Sequence, residues 1–382
     1  HADAPGTLPW SVLAKGDPLP GSHPRPGAGD LAVIQYTSGT TGHVKGAMLS
    51  HFNLHANALQ GAAWMRDARD GEEVCYALLP MFHAFGMTLY LTHGLLRRSR
   101  LVLFPSFDVD MVLDAAKKQP PTIYCAVPPI YERTAKRALE RGVSLRSAKF
   151  CISGAMALTD DVVRLWESVS GGLLVEGYGL TETSPVALGN PFWPTRRTGT
   201  IGVPFPSTLM KVVDPADPAR EVPPGTPGEL LLAGPQVFQG YWNAPEETAA
   251  ALLPGGWLRT GDLVVVDAEG YTTIVDRLKE IIVTGGFNVS PSEVEAELRE
   301  HPDITGVAVV GLPDQHGGER VVAAVVTRSG RPLDTAEARA WAKGRLAAYK
   351  VPREFVTVPE LPTSLLGKVL RKQVRDELAH RA

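Results

Sequence analysis

Between residues 101 and 176 short apolar runs alternate with amphipathic stretches, and this rhythm limits the fold more than any other feature of the chain. Runs 101–104, 122–127, 149–153 and 173–176 have strand length and carry β-branched or aromatic residues. Stretches 108–118, 129–141 and 159–170 have helical spacing. Gly142 stops the second, while Thr159 caps the third and Gly171 lies beyond its end. Strands separated by helices lie side by side in a mainly parallel sheet, because each helix carries the chain back to where the previous strand began. Ligands of such sheets collect beyond the carboxyl ends of the strands. Two glycine-bearing turns stand there, Ser153-Gly154-Ala155 and Gly177-Tyr178-Gly179.

The flanking regions read differently. Residues 1–29 are rich in Pro and Gly and have linker character. Run 31–36 reads as a buried strand, and Ser50 can cap a helix over 51–65. From 199 to 275 short β-branched runs separated by Pro and Gly indicate a small antiparallel or barrel-like subdomain. Past Asp276, Ser290-Pro291-Ser292-Glu293 has cap, first-turn proline and capping-box spacing, opening a helix to about 300. Strands are expected at 307–310 and 321–327, a helix at 335–346, an edge strand at 355–358 and a tail helix over 368–381. The fold class is therefore α/β. Residues 1–198 form the α/β part of a large domain, 199–276 its β-rich subdomain, and 277–382 a small α+β domain, with the boundary at 276–279.

Composition narrows the function. A net charge of -3, with basic residues scattered, argues against a general nucleic-acid binder. Cys75, Cys125 and Cys151 make no disulfide framework and lack metal-type spacing, which fits a reducing cytoplasm. No apolar run approaches the ~18 residues of a membrane span. Peripheral membrane association and a homodimer both stay open.

Tyr36-Thr37-Ser38-Gly39-Thr40-Thr41-Gly42-His43-Val44-Lys45-Gly46 interleaves hydroxyls and glycines and ends on a lysine. Glycines let backbone amides approach an anion, while hydroxyls and Lys45 add donors and positive charge. That chemistry suits phosphate, although a polar surface loop has the same composition. It is not a Walker loop, since Gly39 and Gly42 are only three apart and no Gly-Lys-Ser/Thr follows. In Glu176-Gly177-Tyr178-Gly179-Leu180-Thr181-Glu182-Thr183 the aromatic can stack on a base and the later carboxylate can hold Mg²⁺. A turn with a packed tyrosine uses the same residues. Asp262, in Thr260-Gly261-Asp262, suits a ribose diol, yet such turns are common. Gly285-Gly286 permits close backbone approach or merely a tight turn. Lys368 reads as a solvated charge, and His83, among aromatics in 80–86, as a satisfied core residue, unless something further assigns them.

In their order along the chain, these stretches resemble the adenylate-forming superfamily: acyl-CoA synthetases, peptide-synthetase adenylation domains and luciferases. Run 36–46 resembles its phosphate loop, with Val44 where many members have proline. The resemblance implies that Thr37, Ser38, Gly39, Thr40, Thr41, Gly42 and Lys45 hold the phosphates of ATP. It sets Glu176, Gly177 and Tyr178, with Gly154 and Ala155, beside adenine, and gives Thr181 a phosphate contact. Glu182 would ligate Mg²⁺, with Thr37 as a second ligand. Asp262 and Arg277 would hold the ribose, and Lys279 would mark the pivot between domains. Gly285 and Gly286 would line the pantetheine tunnel for CoA, Lys368 would be the catalytic lysine, and His83 would border the acyl pocket. Two departures stand out. Phe85-Gly86-Met87 occupies the place of a tryptophan gate found in some fatty-acyl members, and 153–157 lacks the usual proline.

The implied reaction has two halves. A carboxylate attacks the α-phosphate of ATP to give an acyl-adenylate and pyrophosphate, and a thiol then displaces AMP. Amino-acid-activating relatives use an aspartate in the segment equivalent to 82–87, where this chain has no acidic residue. An unaminated acid, foremost a fatty acid accepted by CoA, is the reading. Its rivals are a ligase that loads an acyl carrier protein, a luciferase-like oxidation, and a truncated nucleotide-binding chain without turnover. The chain opens on His1, and such proteins place the phosphate loop well over a hundred residues from their start. The expectation is a sequence that begins inside a longer protein and folds poorly alone.

Overall fold

The computed structural model describes residue 15 and residues 25–38, 44–315, 317–364 and 367–380. Strands β1 (Leu31–Ser38) and β2 (Val44–Ser50) pair as an antiparallel hairpin that sets Thr37 opposite Lys45 and Tyr36 opposite Gly46. β1 is not the buried strand its apolar run implies. Leu31 and Tyr36 are exposed, because among the described residues this sheet has two strands and β2 supplies its buried face through Ala47 and Leu49. At Ser50 the expected cap forms. The Asn53 amide donates to Ser50 Oγ (3.1 Å) and the Ser50 amide to Asn53 Oδ1 (3.0 Å), which fixes the start of helix His51–Trp64.

Strands β3 (Val74–Ala77), β4 (Arg100–Leu103), β5 (Ile123–Ala126), β6 (Phe150–Ser153), β7 (Leu174–Gly179), β8 (Val186–Gly189) and β9 (Val203–Pro204) build a seven-stranded sheet in the order 4-3-5-6-7-8-9. β3 to β7 pair in parallel, as the alternation requires, whereas β8 and β9 turn antiparallel. Side-chain alternation along the strands makes two cores. Tyr76, Tyr124 and Cys151 pack with Leu113, Tyr131 and Trp166 of helices Val109–Lys118, Pro128–Arg141 and Asp160–Glu167. Cys75, Ile123, Cys125 and Phe150 pack on the opposite face with Leu89 and Tyr90. All three cysteines are free and buried. The helix after Thr159 ends at Glu167, earlier than its sequence suggests, and Thr159 makes no side-chain cap. The chain must turn there, because Gly171 and Gly172 lie against the backbone carbonyls of Arg146 and Lys149, where a Cβ would sit 2.0 Å away.

The β-rich region is an antiparallel sheet of β10 (Leu209–Asp214), β11 (Asp217–Glu221), β12 (Gly228–Ala233), β13 (Leu252–Leu253), β14 (Trp257–Val266) and β15 (Thr272–Arg277). Beyond the short turn Leu278–Glu280, β16 (Ile282–Thr284) and β17 (Phe287–Val289) form a hairpin with Gly285 and Gly286 at its tip, both at positive φ (55° and 81°). A last sheet joins β18 (Ile304–Pro313) and β19 (Glu319–Thr327) antiparallel, with β20 (Glu354–Thr357) parallel along the edge. Helices Pro291–Arg299 and Thr335–Lys343 cover one face and Arg371–Ala379 the other. The tail helix begins at Arg371 rather than 368. Ser364 and Lys368 instead bond through their backbones (2.8 Å), and Gly367 sits at φ 81°, outside helical space.

Candidate active site

The carboxyl end of β7 and the pair β14–β15 bring three of the sequence-selected side chains together. Strand register sets Asp262 opposite Arg277, and Arg277 Nε lies 3.1 Å from Asp262 Oδ1. Tyr178 donates its phenol to Asp262 Oδ2 at 2.5 Å, and both Tyr178 and Asp262 are buried. Burial first, and the Asp262 carboxylate second, raise the Tyr178 pKa, so the phenol stays a donor. Burial, the largest influence, would lower the Arg277 pKa, but Asp262, Tyr178, Glu280 and Glu182 together outweigh it and keep the guanidinium charged. Lys368 faces the same group. Desolvation, then the Arg277 charge, hold its ammonium below the ordinary lysine value, while Glu280 and Asp262 oppose them. Lys368 is exposed as a residue and makes no hydrogen bond to Arg277 or Asp262 among the described residues. Its neighbour Gly367 approaches Met156, with Sδ 4.0 Å from where a Cβ would stand.

One turn further along, Thr181–Thr183 carries Glu182, half-buried, against the β1–β2 hairpin. The connection runs through a residue that sequence reasoning missed. Tyr241 donates its phenol to Glu182 Oε1 (2.6 Å), and Lys45 Nζ lies 4.9 Å from the centre of its ring. The aromatic cluster Phe238, Tyr241, Trp242 after the Pro235 turn was the available signal, but nothing local ties it to Glu182. Of the remaining phosphate-loop residues, Thr37 lies in β1 opposite Lys45, and Ser38 adds its backbone to that strand. Gly39, Thr40, Thr41 and Gly42 lie outside the described residues.

The segment around residues 80–87 meets the same strand ends. Phe85 Cε1 lies 3.1 Å from where a Gly154 Cβ would stand and the Gly177 carbonyl 3.4 Å, so Gly154 admits the ring against β7. Ala155 takes a left-handed φ of 67°. His83 Nδ1 accepts from the Phe85 amide (3.2 Å) at the N-terminus of the turn Ala84–Gly86, and burial lowers its pKa; its visible role is a cap. Glu176 is buried beside Ser153, and its Oε2 accepts from the Gly199 amide at 2.8 Å. Desolvation raises its pKa to about 7, against the Gly199 and Leu158 amides. Lys279 is exposed on the Leu278–Glu280 turn, and Gly285 and Gly286 are exposed at their hairpin tip, outside the Tyr178–Asp262–Arg277 contacts. Behind the turn, Arg371 binds both Glu295 oxygens (2.7 and 2.8 Å), Glu280 and Asp276, which ties the loop of Lys368 to the junction. A cavity of about 700 Å³ lined by Glu73, Lys149, Glu167 and Phe150 lies at the amino ends of the strands, away from this chemistry.

Beyond the carboxyl end of β7, where ligands of such sheets collect, Tyr178 meets Asp262 and Arg277, and Glu182 meets Tyr241 and, through its ring, Lys45. Residues 2–242 match the family described as AMP-binding enzyme, and residues 293–368 match the AMP-binding enzyme C-terminal domain; the chain belongs to this family. It is 43% identical over 348 residues to a long-chain-fatty-acid–CoA ligase of Bacillus subtilis, covering 91% of this chain and 62% of that protein. A feruloyl-CoA synthase of Amycolatopsis is 37% identical, with 91% and 70% covered. Among solved structures, ATP-bound MatB from Rhodopseudomonas palustris superposes with a TM-score of 0.85 at 36% identity, covering 93% of this chain and 69% of that one. The chain thus spans about three fifths of the length of the fatty-acid ligases it matches.

Proposed function

We propose that this chain carries the catalytic machinery of an enzyme that activates a carboxylic acid with ATP, through an acyl-adenylate, and passes the acyl group to CoA. One observation carries the reading. The five residues 178–182, from the end of β7 into the next turn, reach the Asp262–Arg277 pair with Tyr178 and the Lys45–Tyr241 pair with Glu182, so groups suited to a ribose and to phosphates stand four residues apart. The Asp262 oxygens keep lone pairs for ribose hydroxyls beside their bonds to Tyr178 and Arg277. Gly154, Ala155, Glu176 and Gly177 border adenine, Thr181 touches a phosphate, and the phosphate loop from Thr37 to Lys45 holds the leaving pyrophosphate.

Glu182 fits a magnesium ion. Mg²⁺ keeps several waters and takes one or two carboxylates plus substrate phosphates, and among the described residues no cage of three or more His, Cys, Asp or Glu side chains exists. Glu182 and Thr37 would hold the ion, which supplies charge neutralisation to the phosphates. Little covalent work falls to the protein, so rate comes from positioning and from charge aimed at the reacting phosphate. Lys368 supplies that charge. The acid is unaminated, since 80–87 offers no carboxylate for an amine, and the name of the Bacillus relative supports a fatty acid.

Residues 1–198 and 199–276 act as one large domain, and 277–382 moves about Lys279. The orientation with Lys368 facing Arg277 and Asp262 supports the first half-reaction. In the second, the Gly285–Gly286 tip replaces Lys368 and lines the path of pantetheine. A carboxylic-acid panel scored for pyrophosphate release, with CoA, with a phosphopantetheinyl carrier protein, or with neither, tests substrate and acceptor together. Lys368→Ala should slow adenylate formation about a hundredfold or more and spare thioester formation from pre-made acyl-adenylate, whereas Gly286→Leu should do the reverse. Equal slowing of both half-reactions by both variants would sink the mechanism.

A further inference from the structure

The link between Lys45 and Glu182 runs through Tyr241, and the backbone around Tyr241 is held from both sides. Segment 238–242 runs along the free edge of β2: the Met48 amide donates to the Gly240 carbonyl (2.9 Å), Gln239 to Met48 (3.0 Å) and Trp242 to Gly46 (2.8 Å). The Phe238 amide donates to the Glu182 carbonyl (2.9 Å), so the same segment also grips the 181–183 turn. The Tyr241 amide donates to Thr248 Oγ1 (2.9 Å), and Phe238 stacks edge-on at 4.9 Å between ring centres. Gly240, at φ 128°, leaves no room for a side chain, since a Cβ would meet Thr248 Cγ2 at 2.6 Å. The phenol and the ring face are therefore aimed by backbone, and they meet two different charges. Oη takes one oxygen of Glu182; among the described residues no side-chain or backbone donor bonds the other, Oε2.

We propose that Tyr241 is a positioning residue, whose phenol fixes the Glu182 carboxylate through Oε1 and leaves Oε2 for a ligand, and whose ring seats Lys45. This rests on the reading of Glu182 as the magnesium-side carboxylate. A carboxylate on a free side chain samples several rotamers; one anchored at a single oxygen presents the other in one direction, which lowers the ordering cost when an ion and phosphates arrive. The ring does the same for the flexible lysine stem through a cation–π contact.

The test uses Tyr241→Phe, Glu182→Gln, the double variant and Tyr241→Leu in the full-length protein. Mg²⁺ is titrated at fixed ATP, nucleotide binding is read by calorimetry, and kcat and KM for the acid are measured alongside. Tyr241→Phe keeps the ring and loses only the hydroxyl. It should raise the Mg²⁺ concentration for half-maximal ATP binding about tenfold, as loss of a hydrogen bond to a charged group does. It should lower kcat while the KM for the acid and the melting midpoint stay put. Glu182→Gln should shift the Mg²⁺ midpoint at least as far, and the double variant should match it. Tyr241→Leu should also weaken ATP binding without Mg²⁺, because Lys45 loses its ring. If Glu182→Gln shifts the midpoint and Tyr241→Phe does not, the role of Tyr241 is overturned and the reading of Glu182 stands. Additive shifts in the double variant overturn it too, since the hydroxyl then acts elsewhere. If neither single variant shifts the midpoint, the reading of Glu182 fails first and takes this inference with it.

Discussion

Glu176→Gln isolates the cost of holding a carboxyl at the buried end of β7. Glu176 is 9% exposed, and burial raises its pKa from an ordinary 4.5 to about 7, despite amides from Gly199 and Leu158 that favour the charged form. The fold therefore prefers the protonated acid. Its contribution is fully present below pH 4.5 and is lost as pH rises through about 7. At about 1.4 kcal/mol per pH unit, the loss comes to about 3 kcal/mol. Glutamine keeps an acceptor for the Gly199 amide at 2.8 Å and has no charge to desolvate. Relative to the parent, the variant should thus gain about 3 kcal/mol between pH 4.5 and pH 8. Urea unfolding of both proteins at the two pH values, followed by fluorescence, measures this, because every other titrating group cancels in the difference. Parallel pH profiles, within about 0.5 kcal/mol, would refute both the burial and the sign of the shift.

Asp262→Ala should weaken ATP binding by at least tenfold in a calorimetric titration, since hydrogen bonds to a charged acceptor are worth ~1.5 to 3 kcal/mol each; an unchanged dissociation constant would remove the ribose assignment. The same variant leaves Arg277 without its partner and should lower the melting midpoint even in the absence of nucleotide. Gly86→Ala would drive a Cβ to 2.3 Å from the Pro80 carbonyl, and should cost about 1–3 kcal/mol of stability in urea unfolding. A melt that overlays the parent would show that the 80–87 turn yields to a side chain.

Much of the scaffold was legible because it is local. Ser50 and Ser290 accept capping amides where the sequence puts them, Asp108 caps the helix that the sequence began at that residue, and Gly142 closes its helix at φ 61°. The alternation of strands and helices gave the parallel series, since each strand is bounded by its own apolar run. Two-residue β9 lacks such a run, and the apolar Val186–Leu188 says nothing of the antiparallel direction that β8 takes beside β7. The run Met87–His93 winds as a π-helix, which no residue type in it announces.

The site divides along the same line. Tyr178, Glu182, Asp262, Arg277 and Lys368 were each named from short stretches, but only through a family likeness, because no local pattern says that an aspartate on one strand faces an arginine on the next. Register does, and register is a property of two strands. Tyr241 is harder still. Its partner Glu182 is 59 residues away, and its ring meets Lys45 only after segment 238–242 has docked along β2. Sequence can nominate groups with the right chemistry at each end of a nucleotide. What joins the two ends is the segment 178–182, which sends Tyr178 to one cluster and Glu182 to the other. Its spacing therefore couples the Tyr178–Asp262 contact to the Glu182–Tyr241 contact, so a residue that steadies either end of that segment acts on both.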